Sequence, residues 1–172
     1  MSEEHPLLLG DLWPLLAGRE LTVQLEVKAI CDDQLAQQTC RALCAELLAD
    51  PPPPGVTVEV ISFWPDVLPT AAATGLQTRL IVAAPHQPLA LQRWAVSHGI
   101  SGLILEAEFW SAPHVDLWRD AGLSVMSGVC NDAALARRVL TYAPDAFSTD
   151  RPLELRREVE VATGAPVGDR PA

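Results

Sequence analysis

Short runs rich in valine, isoleucine and leucine alternate with longer helical patterns along the chain. That alternation constrains the fold more than any other feature, because it argues for βα units and a parallel sheet covered by helices. Strands are predicted at residues 21–28, 56–63, 78–83, 100–105, 123–126 and 146–149, about six βα units in all. The first of them alternates strictly. Val23, Leu25 and Val27 share one face, and Gln24, Glu26 and Lys28 share the other. A short helix, 7–16, precedes it, and Asp32 or Asp33 is placed to cap the helix that follows.

Asp50 and the run Pro51-Pro52-Pro53-Pro54-Gly55 make a stiff, non-helical connection. It reads as a long loop, not a domain boundary, since too little chain precedes it to fold alone. One domain is therefore expected over residues 1–161, with a Gly- and Pro-rich disordered tail at 162–172. The formal net charge of −10 excludes attraction to nucleic acid or to an anionic membrane surface. No apolar run approaches the roughly 20 residues needed to cross a bilayer. The acidic start, Met1-Ser2-Glu3-Glu4-His5, lacks the basic region of a signal peptide, so a cytoplasmic protein is expected. Cys31, Cys40, Cys44 and Cys130 lack zinc-site spacing and read as reduced, mostly buried thiols.

In parallel βα folds, chemistry gathers at the carboxyl ends of strands. The first strand ends Glu26-Val27-Lys28, with both charges pointing the same way. Such a pair suits a divalent cation held beside a phosphate, and it equally suits a structural ion pair or an exposed edge. The second strand ends Ile61-Ser62-Phe63-Trp64, whose hydroxyl and aromatics suit a pocket wall or plain core packing. Glu106 and Glu108, after the fourth strand, are either additions to a metal site or receivers of a substrate hydroxyl, or else part of a solvated loop. Asp150 is placed to cap the turn after the last strand. Of His5, His86, His98 and His114, His86 alone lies near the mouth, and each reads as structural or solvated before catalytic. No Ser-His-Asp order, phosphate-cradling glycine loop or dinucleotide fingerprint is present.

The order of landmarks resembles one family. LLLGDLWPLLAGRELTVQLEVKA, VTVEVISFWPDVL, GLSVMSGVCNDAALARRVL and APDAFSTDRPLEL are together similar to segments of glycerophosphodiester phosphodiesterases, over roughly residues 7–157. The resemblance implies an α/β fold, an incomplete TIM (β/α) barrel of parallel strands. It implies metal-dependent hydrolysis, with Ca²⁺ or Mg²⁺, of a glycerophosphodiester to glycerol 3-phosphate and an alcohol, a reaction of lipid metabolism. Carried over, Glu26 is a metal ligand and Lys28 the lysine near the phosphate. Ser62 and Phe63 are the strand-end pair beside the substrate, and Asp150 belongs to the closing Thr-Asp-x-Pro.

The chain departs from that pattern in three places. The family's amino-terminal His-Arg, Glu-x-Asp and His-Asp have no counterpart here, so the catalytic histidine pair and two metal carboxylates are missing. Ser127-Gly128 stand where a tryptophan is usual, and Ala143-Pro144-Asp145-Ala146 replace Gly-Val-Asp-Gly. The alternative expectation is a non-catalytic barrel remnant acting as a binding or interaction module. A partner is expected in either case: a small-molecule phosphodiester in the cleft, and either a second copy or a missing amino-terminal segment along the exposed strand edges.

Overall fold

The computed structural model describes residues 8–28 and 32–163, and for residues 161–163 the backbone alone. His5, Cys31 and residues 164–172 of the expected tail lie outside the described residues. Strand order follows chain order, β1-β2-β3-β4-β5-β6, and the pairings of β1 with β2, β4 with β5 and β5 with β6 are parallel. This is the parallel sheet that the alternation predicts, in the incomplete (β/α) barrel class that the resemblance implies. The chain forms two compact units, Met1–Arg79 and Leu80–Ala172, with the division falling inside strand β3 (Gln77–Val82).

The first unit opens with α1 (Leu9–Leu16). The Asp11 carboxylate accepts the Leu8 N–H at 3.0 Å, which satisfies a donor that the helix start leaves free. Strand β1 (Leu21–Glu26) pairs in register with β2 (Val56–Ser62), from Leu21 opposite Val56 to Glu26 opposite Ile61. Trp13 of α1 buries itself against Val56, Val58 and Leu47, and Val23 and Leu25 pack on that cluster. The apolar face of β1 is thus the helix-covered face, and its polar face looks the other way. Helix α2 (Asp33–Ala49) is capped by Asp32, whose carboxylate accepts the Leu35 N–H at 3.0 Å. The proline run then returns the chain to β2. Gly55 is required at its end: φ is +88°, and a Cβ there would stand 2.7 Å from the Arg19 carbonyl. A 3-10 turn (Pro65–Val67) and α3 (Leu68–Ala72) lead to β3.

The second unit continues with α4 (Pro88–Ser97), β4 (Gly102–Leu105), a 3-10 turn (Ala107–Phe109), α5 (Ala112–Asp120), β5 (Ser124–Val129), α6 (Ala133–Leu140), β6 (Phe147–Ser148) and α7 (Pro152–Thr163). Its core holds Leu103, Leu105, Val115, Trp118, Val125 and Val139, all fully buried. Asp132 caps α6 by accepting the Leu135 N–H at 2.8 Å. Helix α7 runs two residues past the expected domain end at 161, because Leu155 and Val159 bury one of its faces. Ala143 holds φ +49°, a left-handed conformation that glycine would take at lower cost. Arg119 donates to the Tyr142 and Ala143 carbonyls and secures that turn.

The thiols match their expected burial. Cys40, Cys44 and Cys130 are free and buried. Burial, with the Cys44 neighbour next, pushes the Cys40 thiol up to about 12, and Cys130 is likewise raised, chiefly by burial. Both therefore stay protonated and unreactive. Among the described residues no helix is long and apolar enough to cross a membrane.

Candidate functional site

Glu26 is the last residue of β1, and the chain stays attached to β2 for one step more through Val27 N–H donating to the Ile61 carbonyl at 2.9 Å. Alternation returns Lys28 to the side of Glu26, and the two side chains meet with Lys28 Nζ 3.4 Å from Glu26 Oε2. The Lys28 side chain is 73% exposed and that of Glu26 26% exposed. At that exposure the pair contributes little to folding and remains free to engage an anion from solvent.

Ser62 closes β2 and is wholly buried. Its hydroxyl donates to the Val27 carbonyl at 2.7 Å and accepts the Trp64 N–H at 2.9 Å. The serine thereby ties together the two strand ends, holding the residue that lies between Glu26 and Lys28. Its hydroxyl is committed within the protein, so it positions the site from beneath. Phe63 points the other way and is half exposed, 49%. The Trp64 indole N–H donates to Asp33 Oδ1 at 2.6 Å, joining the end of β2 to the start of α2.

Two residues back along the same face of β1 lies a buried polar row. Gln24 stands opposite Glu59 in the β1–β2 register and donates to its carboxylate at 3.0 Å. Arg79 of β3 completes the row with a two-pronged grip, Nε to Glu59 Oε2 at 2.7 Å and Nη2 to Oε1 at 2.6 Å. Glu59 is 4% exposed and Arg79 8%. Burial alone would raise the Glu59 carboxyl, but the hydrogen bonds from Arg79 and Gln24, with the charge of Arg79, hold it below its ordinary value. Reading the sequence missed this row. The signal available was one charge of each sign at an interior position of two successive apolar strands, Val-Glu-Val and Thr-Arg-Leu.

The second unit places its polar strand ends differently. Glu106 follows β4, and a Cβ on Gly128 of β5 would stand 3.2 Å from the Leu105 carbonyl and 3.4 Å from the Glu106 carboxylate. Glu108 sits in the exposed 3-10 turn after β4. Asp150 does not cap the final turn. Its carboxylate accepts from Asn131 Nδ2 at 2.7 Å, while Asn131 Oδ1 accepts from the Thr149 hydroxyl and the Asp150 N–H, both at 2.9 Å. The Thr149 hydroxyl itself accepts the Arg151 N–H at 3.2 Å and supports the turn.

Ca²⁺ takes about six to eight oxygen ligands and Mg²⁺ six. Among the described residues no three His, Cys, Asp or Glu side chains gather to hold a metal ion. Glu26 brings one carboxylate, with an ammonium already beside it. The described residues around Glu26 do not complete a Ca²⁺ or Mg²⁺ site, and no chemical step is drawn through one.

No protein-family model and no curated protein matches the chain. Solved structures do. A protein from Silicibacter pomeroyi described as a glycerophosphoryl diester phosphodiesterase superposes with a TM-score of 0.73 at 22% identity, over 91% of this chain and 56% of that one. A phosphodiesterase from Oleispira antarctica, solved in complex with its product sn-glycerol-3-phosphate, gives 0.73 at 21% identity, over 88% of this chain and 60% of that one. A glycerophosphodiester phosphodiesterase from Parabacteroides distasonis gives 0.67 at 15% identity, over 90% and 64%. The chain thus shares the fold of these enzymes and spans 56–64% of their lengths.

Proposed function

We propose that this chain is part of a glycerophosphodiester phosphodiesterase-type barrel and that its Glu26–Lys28 pair handles the phosphate of a small phosphodiester. The observation that carries the reading is the 3.4 Å pair itself, exposed at the carboxyl end of β1 and held by a buried serine. The shared fold with phosphodiesterases supports it. In this reading Lys28 neutralises a phosphate oxygen, and the half-exposed Phe63 walls the substrate. Ser62 fixes the strand end. Hydrolysis adds water across one P–O bond and releases an alcohol and a phosphomonoester. A Ca²⁺ or Mg²⁺ ion would take one carboxylate from Glu26 and would need its other ligands, like the acid–base groups, from outside the described residues. The strands completing the barrel come from there too, or from a second chain.

Calorimetric titration of the chain with sn-glycerol 3-phosphate at low ionic strength tests this. Binding that weakens with salt and is lost in Lys28→Ala is expected. Absence of binding to the wild-type chain overturns the reading. Turnover of glycerophosphocholine with Ca²⁺ or Mg²⁺ separates an enzyme from a binding module: binding without turnover at any metal concentration favours the module.

A further inference from the structure

Two buried polar side-chain atoms of the second unit, His86 Nε2 and Ser111 Oγ, have no hydrogen-bond partner among the described residues. His86 lies in the loop between β3 and α4, in Pro85-His86-Gln87-Pro88. Prolines on both sides stiffen that loop, and the Trp118 indole N–H holds it by donating to the Pro88 carbonyl at 3.1 Å. His114 stands in the first turn of α5, three residues after Ser111. The rings of His86 and His114 have centroids 6.2 Å apart, and both lie against Trp118, at 5.3 Å and 5.9 Å. Phe109 closes one side at 6.2 Å from His86.

The hydrogen bonding sets the chemistry of His86. Its Nδ1 lies 3.3 Å from the Ala84 carbonyl oxygen, which accepts only, so Nδ1 carries the proton. In the neutral ring Nε2 is then a bare lone pair, buried and unused. Metal-ligating histidines have this arrangement, the far nitrogen donating to a backbone carbonyl and fixing the ligating tautomer. A cation held by two imidazoles at about 2.0–2.1 Å from each nitrogen puts the ring centroids roughly 5 Å apart. The observed centroid separation of 6.2 Å is about 1 Å longer than that.

An anion fits this corner poorly. Pro113 has no N–H to offer, and the N–H groups of His114 and Val115 both go to the Ser111 carbonyl, at 3.2 Å and 3.1 Å.

We propose that His86 Nε2 and His114 bind a borderline transition-metal cation of the Zn²⁺ class, with solvent and the neighbouring Ser111 hydroxyl completing an open coordination shell. Imidazole nitrogens select such cations over Ca²⁺ and Mg²⁺. The site uses no residue of the Glu26–Lys28 pair and does not rest on the proposed function.

The test is a calorimetric titration of the untagged full chain with ZnCl₂ at neutral pH, alongside His86→Gln, His114→Gln and His98→Gln. One Zn²⁺ per chain is expected. Each of the first two substitutions should weaken binding by at least about tenfold, the loss that even an outer-shell partner commands. His98→Gln should change nothing, since its ring is occupied with Trp94 and Ser97. Histidine ¹⁵N spectra of the wild-type chain give a readout that does not depend on any variant folding. Zn²⁺ should shift His86 Nε2 and leave Nδ1 protonated. No saturable binding, wild-type affinity in either histidine variant, or a His86 Nε2 resonance that Zn²⁺ leaves unmoved would each overturn the proposal.

Discussion

Two rows of charge share one face of β1, two residues apart, and they differ in almost every respect. The Gln24–Glu59–Arg79 row is buried, doubly bonded and spread over three strands. The Glu26–Lys28 row is exposed, singly bonded and lies at the end of one strand. Burial accounts for the difference. A carboxylate out of water must be matched in geometry and charge, so Glu59 receives an Arg fork and an amide. A pair in water needs no such match, and its charges stay available to a ligand. The lesson is that the better-formed ion pair is the scaffold, and the poorly formed one is the candidate for chemistry.

The sharpest way to break this comparison is Arg79→Met. It leaves the Glu59 carboxylate buried without its main partner, and a loss of about 3–5 kcal/mol in urea denaturation is expected. Glu59→Met together with Arg79→Met should recover most of that loss, since an apolar pair of similar volume avoids the desolvation cost. If the single substitution costs under ~1 kcal/mol, the buried row is not the scaffold it is taken for here.

Ser62→Ala is next. It strips the Val27 carbonyl and the Trp64 N–H of a shared buried partner, and a loss of about 1–3 kcal/mol is expected. Because Ser62 holds the residue between Glu26 and Lys28, the same substitution should also weaken sn-glycerol 3-phosphate binding without touching a charge. A stability loss with unchanged binding would separate the strand-end link from the exposed row.

Acid distinguishes the rows as well. Folded Glu59 holds its proton less tightly than the unfolded chain does, its pKa lying below the ordinary 4.5. The stability it contributes is therefore fully present above about pH 4.5 and is lost as pH falls through the depressed folded value. Denaturation midpoints measured from pH 6 downward should show this loss in the wild-type chain and much less of it in the Glu59→Met, Arg79→Met double variant. Equal acid sensitivity in both would assign the effect to other carboxylates.

Much of this face was legible in the sequence. Strict alternation in Leu21–Lys28 put Gln24, Glu26 and Lys28 on one side, and the six predicted runs each coincide with a strand. The closeness of Glu26 and Lys28 follows from the same period of two. What stayed hidden depends on distance along the chain. Glu59 and Arg79 are 20 residues apart, and their pairing needs both the strand order and the parallel register before it can be seen. Asn131 and Asp150 are 19 apart, so the acid that looked like a local cap is held by a side chain from the neighbouring strand end. Ser62 read as either pocket wall or core packing, because nothing local shows that its hydroxyl turns inward to Val27. His86 was placed near the mouth, but its bare Nε2 depends on which atom faces the Ala84 carbonyl.

Lys28→Ala carries the smallest stability effect expected and sharpens the comparison most. With the Lys28 side chain 73% exposed, the pair with Glu26 is worth about 0.2–1 kcal/mol at most, and salt screens it further. The denaturation midpoint should hardly move, whereas Arg79→Met shifts it several-fold more for the loss of one cation from the same face. Binding should reverse that ranking. Removing Lys28 deletes the ammonium that meets the phosphate, so sn-glycerol 3-phosphate affinity should fall below detection. The Glu59→Met, Arg79→Met double variant should bind close to the wild-type level, because the buried row meets no ligand. A large stability loss in Lys28→Ala with unaltered binding would invert the roles of the two rows and leave Glu26–Lys28 as one more structural pair.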